Sequence, residues 1–138
     1  MIAAVFDANV LVSGAGWRGE SHICLVAMAR RRVRVFTSVW ILEEASRISA
    51  ELHAEGVMSA DPQTVLNWFG HTAHWVAPSQ TGKQRSRDAK DDPILGTALA
   101  ARASVIVTGD KDLLVLEKPF GIEILRPRAF LAKIHRPI

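Results

Sequence analysis

The sequence predicts an α/β fold, a three-layer αβα sandwich whose central sheet is mainly parallel and has about five strands. Three observations predict it. Short apolar runs of strand character recur along the chain, longer helix-like segments separate most of them, and acidic residues fall where these elements end. With 138 residues, 49% of them hydrophobic, the chain has room for one domain over residues 1–138 and enough apolar side chains to fill its core.

Met1 to Phe6 is apolar, stops at Asp7 and carries no basic leader. It is too short for a signal peptide or a membrane span, so a strand is expected over Ile2 to Phe6 and no membrane partner is expected. A loop from Gly14 to Gly19 holds Trp17 beside Arg18, where the indole either packs or stacks on a base. A helix over Glu20 to Arg31 contains the single cysteine, Cys24, within Ile23-Cys24-Leu25-Val26-Ala27. It has no partner for an internal disulfide and reads as a small buried hydrophobe in a reducing, cytoplasmic compartment. A strand over Val33 to Thr37 leads to a helix over Val39 to Ala54. The next helix, Pro62 to His71, is announced by Asp61-Pro62, a capping acid followed by proline where its missing N–H costs nothing. A strand over His74 to Ala77 follows, and Trp40, Trp68 and Trp75 fall in helix or strand patterns that suit the core. From Pro78 to Lys90 the chain turns polar and basic, the mark of a surface loop. Asp92-Pro93 repeats the capping signal before a helix over Pro93 to Arg102. Strands over Ser104 to Thr108 and Gly121 to Leu125 and a helix over Pro127 to Ile134 complete the pattern.

The formal charge is +3, from 17 basic and 14 acidic side chains, which suits a polyanionic partner without identifying one. The basic residues cluster at Arg30-Arg31-Arg32-Val33-Arg34 and again at Lys83, Arg85, Arg87 and Lys90. Each cluster is either a solvated surface stretch or a nucleic-acid contact.

The acids are more informative. Asp7 follows the first strand and Asp110 follows the strand ending at Thr108, so in a parallel sheet both emerge at the carboxyl edge, where such folds place their sites. Asp91 and Asp92 lie where a loop returns to a helix, and Glu44 lies near the second turn of the helix after the second strand, within reach of the same edge. An aspartate after a strand is often only a turn former or a helix cap. The joint placement of Asp7, Asp92 and Asp110 on one face is what points to a site. Carboxylates gathered together repel one another, and a divalent cation resolves the conflict. Oxygen ligands without a cysteine or histidine pattern suit Mg²⁺ or Mn²⁺ rather than zinc. The five histidines, His22, His53, His71, His74 and His135, show no ligand spacing.

Val5-Phe6-Asp7-Ala8-Asn9-Val10-Leu11-Val12-Ser13 resembles the opening of the PIN-domain family, in which a strand delivers an aspartate followed by a small residue and asparagine. Ile41-Leu42-Glu43-Glu44-Ala45, Asp91-Asp92-Pro93-Ile94-Leu95 and Thr108-Gly109-Asp110-Lys111-Asp112-Leu113-Leu114 are similar to its other acidic segments. The ending Ile124-Leu125-Arg126-Pro127-Arg128-Ala129-Phe130-Leu131 resembles the branch of VapC-like toxin components of toxin–antitoxin pairs. The resemblance implies that Asp7, Glu44, Asp92 and Asp110 form the catalytic quartet. Asp7, Asp92 and Asp110 would be metal ligands, with Asn9 orienting Asp7 and Asp112 as an outer helper. Glu43 competes with Glu44, and Asp91 with Asp92, which its place before Pro93 favours as the cap.

The implied activity is an Mg²⁺- or Mn²⁺-dependent endoribonuclease that hydrolyses RNA phosphodiester bonds with activated water. Lys83, Arg85, Arg87, Lys90 and Lys111 are candidates to hold flanking phosphates. An antitoxin protein and a second copy of the chain are the implied protein partners. The alternatives are an RNA-processing nuclease outside a toxin–antitoxin pair and a non-catalytic interaction domain of the same fold. Two other classes fit poorly. A phosphohydrolase with an aspartyl nucleophile would need a general acid where Asn9 stands, and asparagine cannot donate that proton. A phospho-acceptor domain would need a mid-sheet aspartate after His74-Trp75-Val76-Ala77, where Pro78 follows instead.

Overall fold

The computed structural model describes residues 1–82 and 92–135. Five strands, β1 (Ala3–Phe6), β2 (Arg34–Thr37), β3 (His74–Trp75), β4 (Val105–Val107) and β5 (Glu123–Leu125), form one sheet in the order β3-β2-β1-β4-β5. Every pairing is parallel, with Ala4 opposite Val35 on one side and Val105 on the other. Ala4, Val5 and Phe6 are fully buried, and so are Val105, Ile106 and Val107. Strands without inward and outward alternation are what a sheet covered on both faces requires.

The described residues contain seven α-helices: α1 (Ala8–Gly16), α2 (Glu20–Ala29), α3 (Val39–Ala54), α4 (Gln63–Thr72), α5 (Asp92–Ala101), α6 (Lys111–Leu114) and α7 (Pro127–Ile134). Crossovers between parallel strands are right-handed. The helices leading outward from β1 to β2 and β3 therefore cover one face, and α5, which brings the chain back across β1 to β4, covers the other. The expected αβα sandwich is the observed fold. α3 and α7 run over the expected residues. Phe130 of α7 meets Phe6 of β1 edge to face, with ring centroids 5.7 Å apart, and so closes the core.

Several expectations need correction. The residues after Asp7, to which the sequence pattern assigned no element, form a helix: α1 starts at once, its turns bury Val10, Leu11, Val12 and Gly14, and it takes in Gly14 to Gly16 of the expected loop. Only Asn9 and Ser13 mark its exposed side, a weak periodic signal, and its glycines look like breakers. Gly14 is needed for contact, because a Cβ there would lie 2.7 Å from the Leu25 side chain of α2. The four-residue α6 was also not foreseen. α4 begins one residue later than expected, so Pro62 rather than Asp61 is its N-cap; Asp61 instead turns the chain into the helix, its Oδ1 accepting the Gln63 N–H at 2.9 Å. α5 begins at Asp92, which is thus its first helical residue rather than its cap. Pro93 then takes the second position, where the helix still has no use for an N–H. Trp75 lies on the edge strand β3 and is 45% exposed rather than in the core, its indole N–H donating to the Gly70 carbonyl at 2.8 Å.

α2 and α5 end in the same way. The Arg31 and Arg32 amides donate to the Met28 and Ala27 carbonyls, and the Arg102 and Ala103 amides donate to the Leu99 and Ala98 carbonyls. These are paired Schellman closures, and they place Arg31 (φ 57°) and Arg102 (φ 53°) in the left-handed region that glycine ordinarily occupies. For a residue with a Cβ the conformation costs about 1 kcal/mol.

Gly96 of α5 is the tightest point against the preceding segment. The Ser79 N–H donates to the Gly96 carbonyl at 2.9 Å, and a Cβ at Gly96 would lie 2.3 Å from the Ser79 carbonyl oxygen. Gly96→Ala is therefore expected to destabilise the protein by roughly 1–3 kcal/mol in denaturant unfolding, despite alanine's better helix propensity.

Candidate active site

β1 is central and buried on both faces, so the residue that ends it is delivered to the interior of the sheet's carboxyl edge. That residue is Asp7, only 2% exposed. Its Oδ1 accepts the Val10 N–H at 2.9 Å, which caps α1, and its Oδ2 accepts the Thr108 hydroxyl. The Thr108 oxygen in turn accepts the Asp110 N–H at 2.9 Å, and Asp110 Oδ1 accepts the Asp112 N–H at 2.9 Å, capping α6. One hydroxyl thus joins the ends of β1 and β4. Order reverses between these two strands, because the chain leaves β1 toward β2 and later returns on its other side to β4. Sheets of this kind bind ligands at that crevice.

Burial pushes the Asp7 carboxyl up to about 6 from its ordinary 3.8, with a smaller upward push from Asp110. The Thr108 hydroxyl and the amides of Val10 and Asn9 act the other way, since each donates to the ionised form. Among the described residues no basic side chain is ion-paired with Asp7. A desolvated carboxylate beside a second one, offering oxygen donors alone, suits a hard divalent cation, and Mg²⁺ needs only one or two carboxylates when water completes its shell.

The other expected residues are placed less closely. Asp92 is half-buried in the first turn of α5. The Thr97 hydroxyl of α5 lies 2.9 Å from Ser38 Oγ, just past β2, which ties this helix to the sheet's carboxyl edge. Glu44 is half-buried on the flank of α3's inward stripe, Ile41, Ala45 and Ser49, whereas Glu43 points away and is exposed. Glu44 is held by Arg47 at 2.6 Å, and Arg47 also reaches Glu51 at 3.1 Å. Asn9 touches Asp7 through its backbone amide while its residue as a whole is exposed. Asp112 is half-buried and Lys111 exposed on α6. Lys83, Arg85, Arg87, Lys90 and Asp91 lie outside the described residues. Among the described residues no three acidic, histidine or cysteine side chains converge closely enough to hold an ion, so the pair Asp7 and Asp110 is what the fold brings together. Thr108 was not singled out from the sequence; the available signal was a hydroxyl two residues before an acid at a strand end.

The sequence model of the family described as PIN domain matches residues 3–112, a span that contains Asp7, Glu44, Asp92 and Asp110. The chain belongs to the PIN-domain family. PIN domains are generally nucleases that use divalent metals. Among solved structures, this PIN domain is similar to a chain of VapBC2 from Rickettsia felis, crystallised bound to a DNA fragment from their promoter. The two are 16% identical with a TM-score of 0.58, over 89% of this chain and 97% of that one, a likeness of fold. Among curated proteins none matches the chain. No helix among the described residues is long and apolar enough to cross a membrane.

The raised Asp7 value has a signed consequence for stability. The folded state binds the Asp7 proton more tightly than the unfolded chain does, so burial costs little below about pH 4, where both states are protonated. The penalty grows as pH rises through about 6 and then levels, reaching on the order of 3 kcal/mol. In metal-free buffer Asp7→Asn should therefore gain stability over the parent across that window. Urea unfolding of both proteins from about pH 4 to pH 8 checks this; a difference that does not change with pH would show that Asp7 is not the strained group.

Proposed function

We propose that this PIN domain is an endoribonuclease dependent on Mg²⁺ or Mn²⁺ and the toxin component of a toxin–antitoxin pair. The observation that carries the reading is the Asp7–Thr108–Asp110 cluster at the switch point of a parallel sheet, in a family that is generally nucleolytic. The whole chain, residues 1–138, acts as a single nuclease domain in this reading. RNA as substrate rests on the basic charge balance and on the motifs around the four acidic segments.

Asp7 and Asp110 are the proposed metal ligands; the family's motif adds Asp92, at the start of α5, which the fold does not bring into direct convergence with them, and Glu44 on the rim. A bound divalent ion supplies acidity to the attacking water and neutralises charge on the scissile phosphate. The protein's part is positional. Thr108 fixes the Asp7 carboxylate with its hydroxyl and holds the Asp110 backbone with its oxygen, so the two acids keep one spacing. Asn9 and Val10 present amides that favour the ionised form of Asp7. Asp112 supports Asp110 through its own amide, and Lys111, exposed beside the cluster, is the proposed contact for a flanking phosphate, a task the basic sequence around Lys83, Arg85, Arg87 and Lys90 would share. Arg47 neutralises Glu44 on the protein's own surface.

The likeness to VapBC2 supports an antitoxin protein as partner, and action in the cytoplasm is proposed from the single buried cysteine, which suits a reducing compartment. A second copy of the chain is the other proposed partner, and the exposed apolar side chains Ile23 and Val39 give such an association surface to bury.

RNA cleavage by the purified protein should require added Mg²⁺ or Mn²⁺ and stop with chelator. Asp7→Asn should lower the rate at least roughly a hundredfold, the scale of losing a principal electrostatic group. Thr108→Val, which keeps shape but removes the bridging hydroxyl, should lower it by less while leaving the fold intact. Wild-type protein that cleaves no RNA in either metal, or an Asp7→Asn protein as active as the parent, overturns the reading. In sedimentation at micromolar concentration the chain should run as a dimer, and a monomer counts against self-association.

A further inference from the structure

The run Arg30-Arg31-Arg32-Val33-Arg34 plays no part in the acidic site, and the fold gives it a definite place. β1, β2 and β4 are parallel, so the residues that precede them share the amino edge of the sheet, opposite Asp7 and Asp110. Arg30 to Arg32 join α2 to β2, Arg34 opens β2, and Arg102 joins α5 to β4. A groove of about 620 Å³ runs along this edge, lined in part by Ile2, Ala3, Arg32, Arg102, Ser104 and Lys133. A second hollow of about 270 Å³, lined in part by Arg31, Arg34, Thr72 and His74, shares Met1 with the first. The basic surface is therefore continuous across three neighbouring strands.

Two features make it more than a solvated stretch. Among the described residues no acid is ion-paired with any of these five arginines; Glu123, an acid at the same edge, is bound to Lys133 at 2.8 Å. Arg32 donates instead to His135 Nδ1 at 3.0 Å, and the Arg34 guanidinium lies 5.4 Å from the centre of the Phe36 ring, contacts that orient the cations without neutralising them. The second feature is conformational. Arg31 and Arg102 both occupy the left-handed closing position of a helix, where glycine is the unstrained residue, and both helices end at this edge. A strained side chain kept twice on one surface marks a place where the side chain has a task.

We propose that the amino edge of the sheet binds the phosphate backbone of nucleic acid, at a surface separate from the acidic site. Guanidinium groups match phosphate oxygens in a two-pronged fork. Their row across three strands spans about 10 Å, which suits a polymer with a charge every few ångströms rather than one isolated carboxylate. The length of β1 sets the two surfaces at least about 13 Å apart, so a nucleic acid held here contacts the protein well away from the acids. Such contacts carry charge and register and do not read bases. The surface does not depend on the nuclease reading, because it binds whether or not the carboxyl edge cuts.

The test is fluorescence anisotropy of the full chain with a labelled RNA hairpin and a labelled DNA duplex, in metal-free buffer so that cleavage plays no part. The principal variant is Arg31→Gly with Arg102→Gly, which removes two charges while placing glycine where the backbone favours it, so its melting temperature should equal or exceed the parent's. Binding should weaken roughly tenfold, and the slope of log affinity against log salt should fall by about two. Arg31→Lys with Arg102→Lys should restore most of both. Arg30→Gln with Arg34→Gln, two positions without left-handed backbone, should act in the same direction and guards against a folding defect in the glycine variant. Stronger effects on the hairpin identify RNA as the ligand, and equal effects identify backbone phosphate of either kind. Unchanged affinity and slope in folded variants overturn the proposal. So does displacement of the hairpin by polyglutamate as effectively, charge for charge, as by unlabelled RNA, which would mark a surface for an acidic protein.

Discussion

A carboxylate held at the end of a strand buried on both faces is the constraint around which the rest of the molecule is arranged. Asp7 cannot retreat to water, because Phe6 before it and Ala8 after it are both in the core. A buried charge of this kind must find donors or take up a proton. It finds three donors: the amides of Asn9 and Val10 at the start of α1, and the Thr108 hydroxyl. Capping therefore does not compete with function at this position. The bonds that start α1 are also those that aim the carboxylate, and desolvation still raises its pKa despite them.

Thr108 extends the same arrangement to a second element. Its single oxygen donates to Asp7 and accepts from the Asp110 amide, so β1 and β4 are fixed to one another beyond the last bond of the sheet. Strand order makes the pairing possible. Only strands that are neighbours in space can share a hydroxyl, and β1 and β4 are neighbours although about a hundred residues separate their ends. The same reversal of order opens the crevice above them.

Charge follows the polarity of the sheet. In a parallel sheet all strands start at one edge and end at the other, so a sequence with acids after strands and arginines before them becomes a molecule with an acidic edge and a basic one. The +3 balance of the whole chain therefore describes neither edge. The helices that enter β2 and β4 contribute Arg31 and Arg102 in conformations a glycine would adopt more easily, which fixes where these charges stand.

Local patterns in the sequence determined the fold class, the placement of Asp7 and Asp110 at strand ends, the bounds of α3 and α7 and the burial of Cys24, because each follows from hydrophobic periodicity or from a neighbour a few residues away. α1 was illegible because Asn9 and Ser13 are its whole polar face, too little to set a period beside glycines that read as breakers. The tertiary structure alone decided what depends on two distant segments meeting. It turned Glu44 inward and Glu43 outward, since two residues adjacent on a helix lie about 100° apart and only the position of the core separates them. It left Trp75 on an edge strand, moved the start of α5 to Asp92, and gave Thr108 its role. That role exists only because β4 lies beside β1, and no spacing along the chain records which strands will be neighbours.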